Sequence, residues 1–375
     1  MKERQAEKNQ QHEQGQPDFT IMIITFMLLG LGLVMIYSAS QIKAYMDFED
    51  SSFFFKRQLM WAVIGIFLMY ITMNIPYRIY RKTVPALLLV LLVMMVLVLT
   101  DLGVARGGAQ RWLNLGFVTI QPSEFVKLGL IIYLASIYSK KQEYIDHFMR
   151  GILPPLFIVG LFFFLILLQR DLGTAMSLII FSMVILFCSG ARFKHLFGLG
   201  LLSVVLFFIF TFSAQYRLER LTSFRDPWSD ASGDGYQLIQ SLYAIGNGGV
   251  FGSGFGNSIQ KYLYLPEAHT DFIFAVLAEE LGLIGVIFVL VLFLCFILRG
   301  IKVSTEAPDS FGTLLGIGIV SMIGIQTLIN IGVASGLLPV TGIALPFLSY
   351  GGSSLLLTMI SVGILLNVSR YTRAD

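Results

Sequence analysis

The sequence predicts an all-α integral membrane protein, a polytopic bundle of about ten transmembrane helices with a large extracytoplasmic loop between the seventh and eighth. Three observations carry that expectation. Of the 375 residues, 56% are hydrophobic and 13% charged, and the mean hydropathy is +0.77, a balance outside the range of soluble domains. Apolar runs recur along the chain, each near the ~20 residues that a bilayer-spanning helix needs. The stretch Leu265–Glu280 also places Glu267, Asp271, Glu279 and Glu280 at the mouth and in the first turns of one such run. Acids in that setting are expensive and usually mark function.

Residues 1–18 are polar and rich in Gln, with no apolar periodicity, and read as a disordered cytoplasmic tail. The spans then fall at about 19–39, 57–73, 84–100, 122–138, 151–168, 172–189, 195–213, 271–298, 311–332 and 352–368. Together they form one membrane domain over 19–370, followed by a short cytoplasmic tail, 371–375. The polar N-terminus makes the first span a retained helix rather than a cleaved signal. Lys and Arg concentrate in the short connections Tyr77–Lys82, Ser139–Arg150, Ala191–Lys194 and Arg299–Lys302. The positive-inside bias therefore places both termini in the cytoplasm.

Two outer segments break that bias. The first is 101–124, with Arg106, Arg111-Trp112 and Gln121-Pro122-Ser123-Glu124; the second is the long loop 214–270, with Arg217, Arg220 and Lys261. A loop of this length in a compact protein is functional or disordered, and its aromatic content argues for function. Gly235–Ser241 within it reads as a short amphipathic helix. The glycines 246, 248, 249, 252, 254 and 256 follow no strand and precede no Gly-Lys-Ser/Thr, so they permit tight turns rather than bind nucleotide. A last outer segment, Gly336–Ser354, carries two prolines and a Gly-Gly pair that exclude a continuous helix. Gly312 and Gly316 have the spacing of close helix packing.

Several classes of site are excluded. The net charge of +3 is too small to imply a nucleic-acid partner. Cys188 and Cys295 sit in apolar runs and read as buried small hydrophobes, and His12, His147, His195 and His269 form no ligand motif. Within Leu265–Glu280, Pro266 blocks helix upstream and Thr270 is the expected N-cap, which puts Asp271 in the first turn at the positive end of the helix dipole. Glu279 and Glu280 lie about 12–13 Å deeper. A capping or interfacial role is the alternative for all four acids, most of all for Glu280, which projects away from Asp271.

These residues carry a resemblance. Arg111-Trp112 with Gln121-Pro122-Ser123-Glu124-Phe125, Asp171-Leu172-Gly173-Thr174, Asp226-Pro227-Trp228, Leu265-Pro266-Glu267 with Thr270-Asp271-Phe272-Ile273-Phe274, Glu279-Glu280-Leu281-Gly282 and Pro346-Phe347-Leu348-Ser349-Tyr350-Gly351-Gly352 together resemble the SEDS (shape, elongation, division and sporulation) family, over residues 19–370. The FtsW and SpoVE branch is closer than RodA. Arg170 departs from the family pattern, which often has proline before Asp-Leu-Gly-Thr.

The resemblance implies a ten-helix peptidoglycan glycosyltransferase at the outer face of the bacterial cytoplasmic membrane, polymerising lipid II. It also implies a class B penicillin-binding protein as transpeptidase partner, within the division, elongation or sporulation machinery. The acceptor hydroxyl needs a base, and the family's catalytic aspartate falls at Asp271. A pyrophosphate leaving group needs cations, for which Arg106, Arg111, Lys127, Arg217, Arg220 and Lys261 are candidates. Binding of anionic lipids explains each arginine alone equally well. Lys127 pairs with Glu124 three residues away on one helix face, and Glu267, Thr270 and Ser349 are further candidate substrate contacts. Local backbone capping is the commoner use of such serines. A divalent cation, Mg or Mn, held by Asp271 and a second carboxylate is a possible cofactor. The alternative functions are a lipid II flippase, which would also use broken helices and buried charge, and a lipid-binding scaffold.

Overall fold

The computed structural model describes residues 15–372, apart from 107, 115, 117, 141–143, 234 and 263. Ten long helices occupy the ten predicted runs: α1 (Phe19–Phe48), α2 (Phe53–Asn74), α3 (Tyr80–Val98), α4 (Pro122–Tyr138), α5 (Leu153–Leu168), α6 (Leu172–Cys188), α7 (Phe193–Phe212), α10 (Ile273–Thr305), α11 (Ser310–Ala334) and α12 (Gly352–Ser369). Among the described residues, eight segments are long and apolar enough to cross a membrane; α4 and α6 fall short at 17 residues each. Two further helices lie in the long loop, α8 (Gln215–Arg225) and α9 (Tyr236–Gly248), the latter covering the predicted amphipathic stretch.

Helix starts follow from side chains able to cap. Asp18 accepts from the Ile21 amide at 2.9 Å, Asp171 from Thr174 and Asp309 from Gly312, which satisfies free amides at the first turns of α1, α6 and α11. Most of the expected tail 1–18 lies outside the described residues. Asp18, however, is tied down, with its carboxylate 2.7 Å from Arg299. At the other terminus 373–375 are outside the description, and Tyr371 packs edge-on against Tyr77. The Asp18–Arg299 pair lies at one end of the bundle, as do the bonds of Tyr77 to Asn367 and Asp309 and of Arg78 to Asp309. The contacts between Lys43 and Glu267, Gln58 and Ser349, and Arg111 and Asp171 lie at the other.

Close helix approach uses small residues, as expected where lipid removes the hydrophobic drive between helices. Gly363 of α12 meets Thr72 and the Met69 carbonyl of α2; Gly312 and Gly316 of α11 meet Tyr77 and Ser304. The core runs through α4, α6, α11 and α12, whereas α7 touches little besides α6 and α8 and buries only Thr211.

Three features depart from expectation. The outer segment 101–120 is a three-stranded antiparallel sheet, β1 (Gly103–Arg106), β2 (Ala109–Asn114) and β3 (Thr119–Ile120), because Gln110, Trp112 and Leu113 pair back across a turn at Gly108, with Arg111 the unpaired residue at a shift in register. Cys188 and Cys295 are exposed on outward helix faces rather than buried; an apolar neighbourhood in sequence is equally the signature of a lipid-facing surface. And α10 is broken at Gly282, whose φ of 66° and ψ of −167° are not helical. Residues 248–254 fill the break: the Ser253 and Gly254 amides donate to the carbonyls of Glu279 and Glu280, and the Leu283 and Ile284 amides donate to the carbonyls of Gly249 and Val250. Gly252 and Gly282 meet backbone to backbone with no room for a Cβ on either.

Candidate active site at the outer mouth of the bundle

The segment entering α10 is built as a tight turn. Pro266 precedes Glu267, which adopts φ 55°, and the Glu267 carbonyl accepts from the amides of Thr270 and Phe272. The helix begins only at Ile273, with Phe272 at the cap and no acid in the first turn. Thr270 is therefore not the N-cap: its hydroxyl donates to the Glu267 carboxylate at 2.7 Å and carbonyl at 3.1 Å. Asp271 stands in the turn before the helix, outside its first turn.

Three consecutive carbonyls of that turn are held from outside. The His269 carbonyl accepts from the Tyr350 amide at 2.9 Å, the Thr270 carbonyl from Ser349 Oγ at 2.6 Å, and the Asp271 carbonyl from Asn330 Nδ2 at 2.8 Å. Ser349 Oγ also accepts from the Leu345 amide at 2.8 Å. Gln58 grips the same loop, donating to the Ser349 carbonyl and accepting from the Gly351 amide. Ser349, a candidate substrate contact, is thus committed to the backbone at both ends.

The main chain of Asp271 is fixed while its half-buried carboxylate takes no hydrogen bond among the described residues. A Cβ built on Gly342, which has φ 73°, would stand 3.5 Å from Asp271 Oδ2 and 3.8 Å from Arg111 Nη1. Carboxylate and guanidinium therefore border one space with glycine as its wall. Burial pushes the Asp271 carboxyl up to about 6, helped by the negative charges of Glu267 and Asp171 and opposed by Arg111 and Arg220. His269, buried against Phe54 and Tyr350, is pushed down to about 4 by burial and by Lys43. Burial works to raise the Glu267 carboxyl, but the Thr270 hydroxyl and Lys43, 3.5 Å away, hold it below its ordinary value.

Arg111 on β2 donates Nη2 to the Arg170 carbonyl at 2.6 Å and sets Nη1 3.6 Å from Asp171. Arg170, the residue that departs from the family pattern, has φ 59°, which turns its carbonyl to that arginine. From here a cavity of about 800 Å³ runs between α6 and α7. Arg111, Arg170, Arg217 and Arg220 line it along with an apolar wall that includes Met176, Met183, Phe187 and Phe207. A cationic mouth on an apolar groove suits an anionic group carried on a long hydrocarbon.

The remaining candidates are distributed differently. Lys127 and Glu124 form the predicted pair at 2.8 Å, both buried, with Glu124 Oε2 lacking a partner among the described residues; neither lines the groove. Lys261 is turned away from any open space. Its ammonium is fully enclosed, 3.1 Å from Glu280, 3.1 Å from Ser38 Oγ and 2.6 Å from the Gly256 carbonyl. That is a structural ion pair, so the expectation of a phosphate contact there is replaced by a loop anchor. Arg106 falls on β1, and its side chain lies outside the described residues. No group of three or more His, Cys, Asp or Glu side chains gathers to hold a metal among the described residues. Sequence reasoning passed over Asn330, Gln58 and Lys43. The signal for Asn330 was present, as one of two amides, with Gln326, in an otherwise apolar helix.

The FtsW/RodA/SpoVE family model, described as cell cycle protein, matches residues 19–374. The chain is 50% identical to stage V sporulation protein E of Bacillus subtilis, over 95% of this chain and 98% of that one. It is 44% identical to the probable peptidoglycan glycosyltransferase FtsW of the same organism, over 95% and 91%. Among solved structures, it resembles the rod shape determining protein RodA of Thermus thermophilus with a TM-score of 0.70 at 28% identity, covering 96% of this chain and 98% of that one. A chain from a peptidoglycan synthase complex, described as coordinating polymerization and crosslinking, matches with a TM-score of 0.78 at 30% identity, covering 94% and 98%. A bundle of membrane helices, the ordered motifs and these matches together make the chain a member of the FtsW/RodA/SpoVE family.

Proposed function

We propose that the chain is a peptidoglycan glycosyltransferase that polymerises lipid II, with Asp271 as general base. The observation that carries the reading is the Asp271 carboxylate itself: half-buried, without a hydrogen bond among the described residues, and sharing the space beside Gly342 with Arg111, which lines an apolar groove. The acceptor sugar's 4-hydroxyl gives its proton to Asp271. Its oxygen then attacks the anomeric carbon of the growing glycan, and the bond to undecaprenyl pyrophosphate breaks with the electron pair leaving on phosphate. Arg111, Arg217 and Arg220 lie where they would balance that charge, and the groove where it would take the polyprenyl chain.

A carboxyl poised near 6 is mostly ionised at neutral pH and still basic enough to take a proton. Because the base works deprotonated, kcat/KM for lipid II should fall as pH drops through about 6. Asp271→Asn keeps the shape and removes the base, so glycan synthesis from purified lipid II should fall about 10²- to 10⁴-fold. The assay is run with and without the transpeptidase partner, which we take to be a class B penicillin-binding protein. Near-normal polymerisation by the well-expressed variant would overturn the assignment.

The site lies on the outer face if both termini are cytoplasmic. In a background lacking Cys188 and Cys295, cysteines at exposed Ser229 and Lys140 should then label from opposite sides of the membrane with an impermeant reagent. Equal labelling of the two would exclude the ten-span topology.

A further inference from the structure

Asn330 is 1% exposed, near the outer end of α11. Its Nδ2 donates to two carbonyls from different non-helical segments, Asp271 at 2.8 Å and Ile343 at 2.8 Å. Its Oδ1 is buried with no partner among the described residues. The reversed amide would set that oxygen against two carbonyl oxygens, so the two bonds fix the orientation. Stability alone does not favour asparagine here. An orphaned buried oxygen carries a free-energy penalty, and asparagine is a weak helix former.

The donors do something that packing cannot. Ile343 follows Gly342, the residue whose Cα faces both the Asp271 carboxylate and Arg111. One amide group therefore ties the main chain of Asp271 to the wall opposite its side chain. The Thr270 and His269 carbonyls are held by Ser349 and Tyr350 of that same segment. Asn330 is the member of the set that grips Asp271 itself, and the only one on a long, enclosed helix. It fixes the carboxylate through the backbone and leaves both carboxylate oxygens free of its own hydrogen bonds.

We infer that Asn330 is a positioning residue, whose two N–H groups set the distance between the base at Asp271 and the wall formed by Gly342 and Arg111. The inference rests on the reading of Asp271 as the base. A displacement of about 1 Å in such a group is enough to slow a reaction roughly 10²-fold.

The test uses Asn330→Leu, which keeps the branching at Cγ and removes both donors, and Asn330→Ser, which is small and keeps one hydroxyl donor. Both are purified with the transpeptidase partner alongside wild type and Asp271→Asn, and glycan synthesis from lipid II is measured across lipid II concentration and pH. The expected result is a kcat about 10²-fold lower for Asn330→Leu and about tenfold lower for Asn330→Ser, with KM for lipid II within about threefold of wild type. The acid limb of the pH profile should move away from its wild-type position, because the surroundings of the carboxylate change. A purely structural role would lower the yield of folded protein and leave kcat per folded molecule and the pH profile alone. Wild-type kcat in either folded variant overturns the inference, and so does failure of both variants to accumulate, which marks the residue as structural. If Asp271→Asn is fully active, the reading of the base fails, whatever Asn330 does. If Asp271→Asn is inactive and the Asn330 variants are normal, only the positioning role fails.

Discussion

Asp271 and the pair Glu279–Glu280 belong to one stretch of sequence and end in opposite conditions. Glu279 accepts from the Ser258 hydroxyl and from the amides of Ile259 and Gln260 at 3.0 and 3.4 Å. Glu280 Oε1 accepts from Ser38 at 2.6 Å and from Lys261 at 3.1 Å. Both acids pin the loop 256–261 to the broken helix, although Glu280 Oε2 stays buried without a partner among the described residues. Asp271 has a fixed backbone and an unbonded carboxylate. A buried acid is tolerated when its lone pairs are used. An acid left without bonds at the rim of a cavity is a candidate for chemistry. The difference lies in what the neighbours do with the oxygens, and charge alone does not reveal it.

That contrast can be broken most directly at the carboxylate. Asp271→Asn, expected to lose about 10²- to 10⁴-fold in rate, should unfold no more easily than wild type. The folded state holds this carboxyl at about 6, above its ordinary 3.8, so its ionisation works against the fold at neutral pH and the amide removes that opposition. A clear drop in melting temperature would place Asp271 with the structural acids. The second effect belongs to the other member of the comparison. Lys261→Met leaves Glu280 buried without its cation, and such breakage typically costs about 3–5 kcal/mol of stability. Detergent-solubilised protein should melt earlier, with kcat per folded molecule unchanged. A selective loss of kcat would move Lys261 back among the substrate contacts. The smallest effect is expected from Ser349→Ala, which removes the donor to the Thr270 carbonyl and the acceptor for the Leu345 amide. Leaving those backbone groups unpaired costs about 1–3 kcal/mol, read as a shift of the thermal midpoint. A wild-type midpoint would show that water replaces the hydroxyl.

The bundle was legible because a membrane helix needs only length and apolarity, and every predicted run became a helix. The sheet at 103–120 was not, since two four- to six-residue strands with Arg, Gln and Asn carry no clean alternation. Asp271 stood out as an acid beside a membrane helix. Its exact secondary structure did not, because Thr270 serves Glu267 rather than the helix amides, a competition between local hydrogen bonds that spacing leaves open. Lys261 was misplaced for a related reason. A basic residue in an outer loop reads as surface until the loop is known to fold inward onto Glu280. Asn330, Gln58 and Lys43 each come from a helix remote in sequence from the turn they hold, so their meeting with residues 267–271 and 349–351 belongs to tertiary structure alone.

The break at Gly282 also sets a depth. As a single rod, the 33 residues of α10 would be about 50 Å long, against a hydrocarbon thickness of about 30 Å. Interrupted there, residues 283–305 measure roughly 35 Å and match the bilayer with modest tilt, while 273–281 are sheltered by protein. Helix α1 acts as a ruler beside them. Ser38 meets Glu280 next to the break, and Lys43, about 7 Å further along the axis, reaches Glu267. A bilayer whose hydrocarbon ends near Gly282 would station Asp271 in the polar layer outside it, the stratum that lipid phosphates occupy. A sugar joined through pyrophosphate to a long polyprenol would straddle that boundary: its chain would stay in oil, its saccharide would stay in water, and the bond to be broken would lie level with the carboxylate.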